Sequence, residues 1–149
     1  MQRRDERGFG LIEMTVVVLI IAVLIAVGVP TLVGAQERGR NRAAQLDLRN
    51  AVQAARSIAV EAGFGSIDAN EMESLEPSMT YDALGDAAQG VIGVDSIDAG
   101  SAFIALTQAS SGRWFGLAVD VDGDLSYCEG ATRTACDQPD SDDFTSSAW

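Results

Sequence analysis

Apolar residues run almost without interruption from Phe9 to Val33, and Glu13 is the one charged residue among those roughly 25 positions. A helix rising 1.5 Å per residue needs about 20 apolar residues to cross a hydrocarbon layer of about 30 Å, so this stretch predicts a membrane-spanning helix. From Ala35 the texture turns polar, yet the periodicity continues: Ala44, Leu48, Ala51, Val52, Ala55, Ile58, Ala59 and Ala62 recur at three- and four-residue spacing. Such spacing places them on one stripe of a helix, while Arg42, Asp47, Arg49, Asn50, Gln53 and Arg56 fall largely between them. Gly63 is a natural stop. The pattern predicts a helix of roughly 50 residues, a hydrophobic half over 9–34 and an amphipathic half over 35–62.

After Gly63 the pattern shortens. Asp68 to Leu75 is expected to make a helical turn or two, inside a stretch from Ser66 to Gly90 rich in acids and turn residues. Val91–Val94, Ala102–Gln108, Trp114–Val119 and Leu125–Cys128 are candidate strands, with Ser110-Ser111-Gly112 as one connection. Val121-Asp122-Gly123-Asp124 predicts a tight hairpin in which Asp-Gly supplies the positive φ angles of a type I′ turn. The expected fold is α+β: a long N-terminal helix packed on a small antiparallel sheet of three or four strands, the head occupying 63–149.

The segment ahead of the apolar run sharpens this picture. Met1 to Gly8 is short and polar, with Arg3, Arg4 and Arg7. A secretory signal has a 7–15-residue apolar core followed by a small-residue cleavage site, whereas here the core is longer and the small residue precedes it. By the positive-inside rule these arginines hold the leader in the cytoplasm and send the rest outward. A carboxylate at the bilayer centre costs roughly 2.5–3.5 kcal/mol, less near its edge, so an acid kept in such a span signals use.

Gly8-Phe9-Gly10-Leu11-Ile12-Glu13, followed by the apolar run, resembles the class III signal of type IV prepilins. The resemblance implies a leader over 1–8, cleavage between Gly8 and Phe9 by prepilin peptidase, and N-methylation of Phe9. Cleavage after Gly10 would leave Glu13 third instead of fifth in the mature chain. It further implies that Glu13 pairs with the Phe9 ammonium of a neighbour during assembly, and that Gly28 and Pro30 form a helix break that loosens when subunits leave the bilayer. Leu75-Glu76-Pro77-Ser78, Ser111-Gly112-Arg113 and the final cysteine segment are similar, more loosely, to small type IV pilins of monoderm, high-GC bacteria. Trp114 stands where those proteins often place a cysteine, so their disulfide pattern does not carry over unchanged.

Charge and candidate chemistry narrow the function. Eight arginines and five acids precede Ser57, while two arginines and seventeen acids follow, which sums to the net charge of −12. An acidic head is well solvated and self-repelling, so close packing of copies calls for salt, cations or pairing with Arg38, Arg40 and Arg42. Nucleic acid is not an expected partner. Cys128 and Cys136, an even pair in an outward-facing domain, predict a disulfide. Asp120, Asp122, Asp124 and Glu129 resemble a calcium loop, and calcium is the one cofactor weighed. Gly123 is fourth and Glu129 tenth, however, where an EF-hand needs glycine sixth and glutamate twelfth. With no histidine and no Gly-rich phosphate loop, catalytic residues are not expected.

The reading is a structural subunit that polymerises with itself through its N-terminal helix. It sits in the membrane before assembly and on an extracellular cell-surface filament afterwards, and works with prepilin peptidase and assembly machinery. The alternatives are a type II secretion pseudopilin or minor pilin, and, from another class, a monomeric membrane-anchored binding domain.

Overall fold

The computed structural model describes residues 10–97, 100–137, 144–146 and 149. The chain divides into two compact units, Met1–Glu37 and Arg38–Trp149. One helix, α1 (Leu11–Ala62, 52 residues), supplies the described part of the first unit and enters the second.

In the second unit the three- and four-residue stripe becomes the packing face. Ala44, Leu48, Ala51, Val52, Ala55 and Ile58 are buried as expected; Ala54 joins them, and Ala62 remains exposed. Alanine at four of these positions lets the helix backbone approach a sheet closely. At Gly63 the chain turns with φ 79°, and its N–H still bonds Ala59 O at 2.9 Å. Helix α2 (Ala69–Leu75) begins at Asp68, whose side chain accepts the Glu71 N–H at 2.8 Å, a local N-cap.

Five strands follow in the sheet order β1-β2-β3-β4-β5: β1 Tyr81–Ala83, β2 Ile92–Ile97, β3 Ala102–Gln108, β4 Trp114–Asp120 and β5 Leu125–Gly130. The three pairs from β2 to β5 are antiparallel, as the alternation predicts. The first pair departs from the expected meander: β1 lies parallel to β2, with Tyr81 opposite Ile92. A parallel crossover ordinarily takes a dozen or more residues, and here residues 84–91 suffice. The reason is Gly93. A Cβ there would stand 2.5 Å from Ala87 Cβ and 2.9 Å from Leu84 O, so the missing side chain lets the crossover lie flat on the sheet.

Both faces of the central strands are covered. Phe103, Ala105, Phe115, Leu117 and Val119 pack with α1, Phe64, Ile67 and Met72 on one face. On the other, Leu106 and Cys128 pack with Ala87, Cys136, Leu84, Trp114, Ala135 and Phe144. Gly93, Leu106, Gly116 and Cys128 form one row across four strands. At Gly116 an added Cβ would lie 3.1 Å from Cys136 Cβ and from Phe144 Cζ, so this second glycine seats the cysteine loop. This is the α+β, type IV pilin-like arrangement expected from the pattern.

The β3–β4 and β4–β5 hairpins use the same turn, and it is not type I′. In the β4–β5 connection Gly123 N bonds Asp120 O at 3.1 Å and Asp120 N bonds Asp124 O at 3.2 Å. Val121 and Asp122 are therefore the central pair, and Gly123 (φ 88°) follows them. That is a three-residue loop closed by a glycine bulge. The bulge removes one ladder bond, and Asp120 Oδ1 replaces it by accepting the Asp124 N–H at 2.9 Å. Ala109 to Arg113 repeats the geometry with Gly112 (φ 91°).

Candidate assembly segment

The helix start gathers the residues on which the expected chemistry rests. Gly10 precedes α1 and Glu13 lies in its first turn. The Gly10 N–H donates to Glu13 Oε2 at 3.0 Å, while Glu13 N and Met14 N bond Gly10 O at 3.1 and 3.2 Å. This is the glutamate half of a capping box, in which a side chain at the third helical position satisfies the backbone donor at the cap. The carboxylate also lies at the end of the helix that favours negative charge. Gly8 and Phe9, the expected cleavage and methylation positions, lie outside the described residues.

Along the same segment Leu11, Ile12, Met14, Val16 to Ile21, Val23 to Ile25, Val27, Val29, Leu32 and Val33 are all exposed. Such a continuous apolar surface is not a surface for water. It is long and apolar enough to cross a membrane. The helix is unbroken through Gly28 and Pro30, the positions where loosening is expected on leaving the bilayer. Proline removes one backbone donor within the helix. One turn of hydroxyl bonding lies beside it: Thr31 Oγ1 donates to Gly28 O at 2.8 Å. In this state neither residue interrupts the helix.

On the head, Cys128 and Cys136 are joined by a disulfide with their Cα atoms 5.6 Å apart. The four acids weighed for calcium do not converge on one point. Asp120 is occupied with the Asp124 N–H, and Glu129 pairs with Arg113 at 2.7 Å. Among the described residues no three acids or cysteines gather as a metal-ligand set.

Some contacts were not expected from sequence. Trp149 donates its indole N–H to Cys128 O at 2.9 Å and meets the rings of Phe115 and Tyr127 edge-on at 5.7 and 4.9 Å. Thr145 exchanges two backbone hydrogen bonds with Tyr127 (2.7 and 2.8 Å), covering the outer edge of β5. At the other edge, Asp47, Ser78, Thr80, Ile92 and Thr107 line a cavity of about 170 Å³. Burial raises the Asp47 carboxyl above its ordinary 3.8. Burial, with Glu76 and Asp47 nearby, pushes the Tyr81 phenol up to about 12.

Comparison with known proteins bears on the first of these regions. Residues 3–29 match the prokaryotic N-terminal methylation motif. The chain carries a prepilin-type signal. No curated protein and no solved structure matches it. The signal spans the arginine-containing leader, Glu13 and most of the exposed apolar surface, and it supports a type IV pilin-like or pseudopilin protein. It fits processing by a prepilin peptidase and anchoring in a membrane before assembly. The glutamate cap was not anticipated from the sequence, although Glu13 stands three residues after Gly10, the spacing of a capping box. Nor were the contacts of Trp149, because they join residues distant in sequence.

Proposed function

We propose that this chain is a structural subunit of a type IV pilus-like extracellular filament, cleaved after Gly8, methylated at Phe9 and polymerised through its N-terminal helix. The observation that carries the reading is the methylation motif at residues 3–29 coinciding with a fully exposed apolar helix surface. Such a surface needs lipid or copies of itself, and a subunit that leaves the membrane must exchange the first for the second. Glu13 then passes from its own helix cap to the ammonium of an adjoining copy. Gly28 and Pro30, unbroken here, are where the helix loosens during that exchange. Calcium at Asp120, Asp122, Asp124 and Glu129 is no part of the mechanism.

The test is to shear cells that express the full chain, image the released material and sequence its N-terminus. Abundant fibres built of this protein, beginning at methylated Phe9, are the expected result. Its presence only at trace level in fibres, or only in a periplasm-facing secretion assembly, would transfer it to the minor pilins or pseudopilins. A chain that keeps Met1 and remains monomeric in the membrane would overturn the reading.

A further inference from the structure

With 3.6 residues per turn, Arg38, Arg42, Arg49 and Arg56 fall within about 40° of one another on α1. They form a ladder along one side of the helix. Two rungs show which way it looks. Arg56 Nη2 donates to Gly123 O at 2.9 Å, and the Arg49 guanidinium lies 5.9 Å from the centre of the Trp149 ring. Both contacts are on the side of β5 and its hairpin. Arg38 and Arg42 are exposed, and neither has an acid within ion-pair distance among the described residues, where Arg113–Glu129 is the ion pair present. Arg40 points to roughly the opposite side of the helix and is no part of the ladder.

Half a turn away from the ladder, Asp47 faces the other edge of the sheet, beside Thr80 and Ile92. There Asp68, Asp82 and Asp95 line a cleft of about 450 Å³ with Tyr81 and Val94, and Glu76 follows at the end of α2. None of these acids has an ion-pair partner among the described residues. Arg38 and Arg42 thus stand unneutralised on the β5 side of α1 and this group of acids stands unneutralised at the β1 edge, while Asp122 and Asp124 of the β4–β5 hairpin lie near Arg56 on the arginine side.

We infer that a second copy of this chain docks its acidic β1 edge onto the Arg38–Arg42 end of the ladder. The inference rests on the filament reading above. Two different surfaces meet in such a contact, so each copy keeps one unused basic and one unused acidic face. A head-to-tail interface of this kind is open and propagates into a filament when its rotation does not close a ring. It also answers the self-repulsion of a chain with net charge −12, because each contact neutralises acids with arginines of a neighbour. Directionality follows as well, since arginine facing arginine or acid facing acid is repelled.

All ten basic residues of the chain are arginines, so Arg42→Lys keeps the charge and introduces a single side-chain amine. Treating intact fibres of this variant with a carbodiimide joins that amine to whichever carboxylate it touches. Expected are covalent dimers and longer ladders whose linked peptides connect position 42 to Asp68, Glu76, Asp82 or Asp95. Links confined to Asp120, Asp122 or Asp124, or fibres that give no links, overturn the interface. In parallel, Arg38→Glu with Arg42→Glu is expected to lower fibre yield about tenfold or more. Adding Asp82→Arg and Asp95→Arg to the same chain is expected to restore it. A loss without rescue, or no loss, counts against the contact while leaving the filament reading intact. Failure of the wild-type chain to form fibres removes that reading and this interface together.

Discussion

Glu13 has two partners to choose between, and they make different demands on its side chain. The Gly10 N–H at 3.0 Å needs only an acceptor oxygen. The ammonium of a neighbouring copy needs a negative charge, and in a water-poor setting removing one member of such a pair costs about 3–5 kcal/mol. Glutamine also serves in a capping box. Glu13→Gln is therefore expected to insert, to be processed and to start its helix as the wild type does, yet to yield few fibres, as Glu13→Ala does. Wild-type fibre yield from Glu13→Gln in a shearing assay would assign the residue to the cap. Asp47 poses a pH question at the same scale. Its folded-state pKa is raised by burial, so the native chain holds this proton to higher pH than the unfolded chain does. The stability it contributes is fully present below 3.8 and is lost as pH rises through the folded value. Asp47→Asn is expected to raise the thermal midpoint at neutral pH and to have no such effect below 3.8. It should also move the Tyr81 titration, now at about 12, downward, because one of its neighbouring negative charges is gone. A calorimetric series across pH, with an ultraviolet titration of the phenol, checks both.

At the level of elements, periodicity was informative wherever an element was long enough to show it. The stripe from Ala44 to Ile58 announced its buried face because several turns repeat the same spacing. Strand β1 has three residues, too few for alternation to register, and its parallel pairing depends on what Gly93 leaves open. The hairpin was located correctly and its turn was not. Asp122-Gly123 suits a type I′ turn in isolation, but the β4–β5 register puts Val119 opposite Leu125 and Asp120 opposite Asp124, which moves the central positions back by one. The side chain of Asp120 then closes the loop. Asp120→Ala is expected to cost about 1 kcal/mol, the usual net worth of a hydrogen bond, with Asp120→Asn retaining much of it. Denaturant unfolding of the two variants decides this, and equal midpoints for alanine and wild type would refute the role of the carboxylate.

For the whole molecule, the second layer over the sheet is the feature that composition hides. Cys128 belongs to β5 and Cys136 lies above Gly116, so the disulfide pins a covering loop onto the central strands as well as closing a chain loop. The loop-closure term alone is about 2–3 kcal/mol for a separation this short. Reduction, or Cys128→Ser with Cys136→Ser, is expected to lower stability by at least that much in denaturant unfolding. It should also quicken exchange of the Gly116 and Leu117 amides. Unchanged exchange at those positions would mean that packing of Trp114, Ala135 and Phe144 holds the layer by itself.

The prepilin-type signal, the apolar span, the buried stripe of α1 and the antiparallel strands were all present in the sequence. Each depends on the order and spacing of neighbouring residues, and local physics acts on that order directly. The parallel β1, the two-sided burial of β3 and β4, the reach of Trp149 to α1 and the placing of Arg38 and Arg42 away from the acids of the β1 edge were decided by the tertiary structure. These arise where residues far apart in the chain are brought into contact, and close approach there is governed by what a glycine omits as much as by what a side chain supplies.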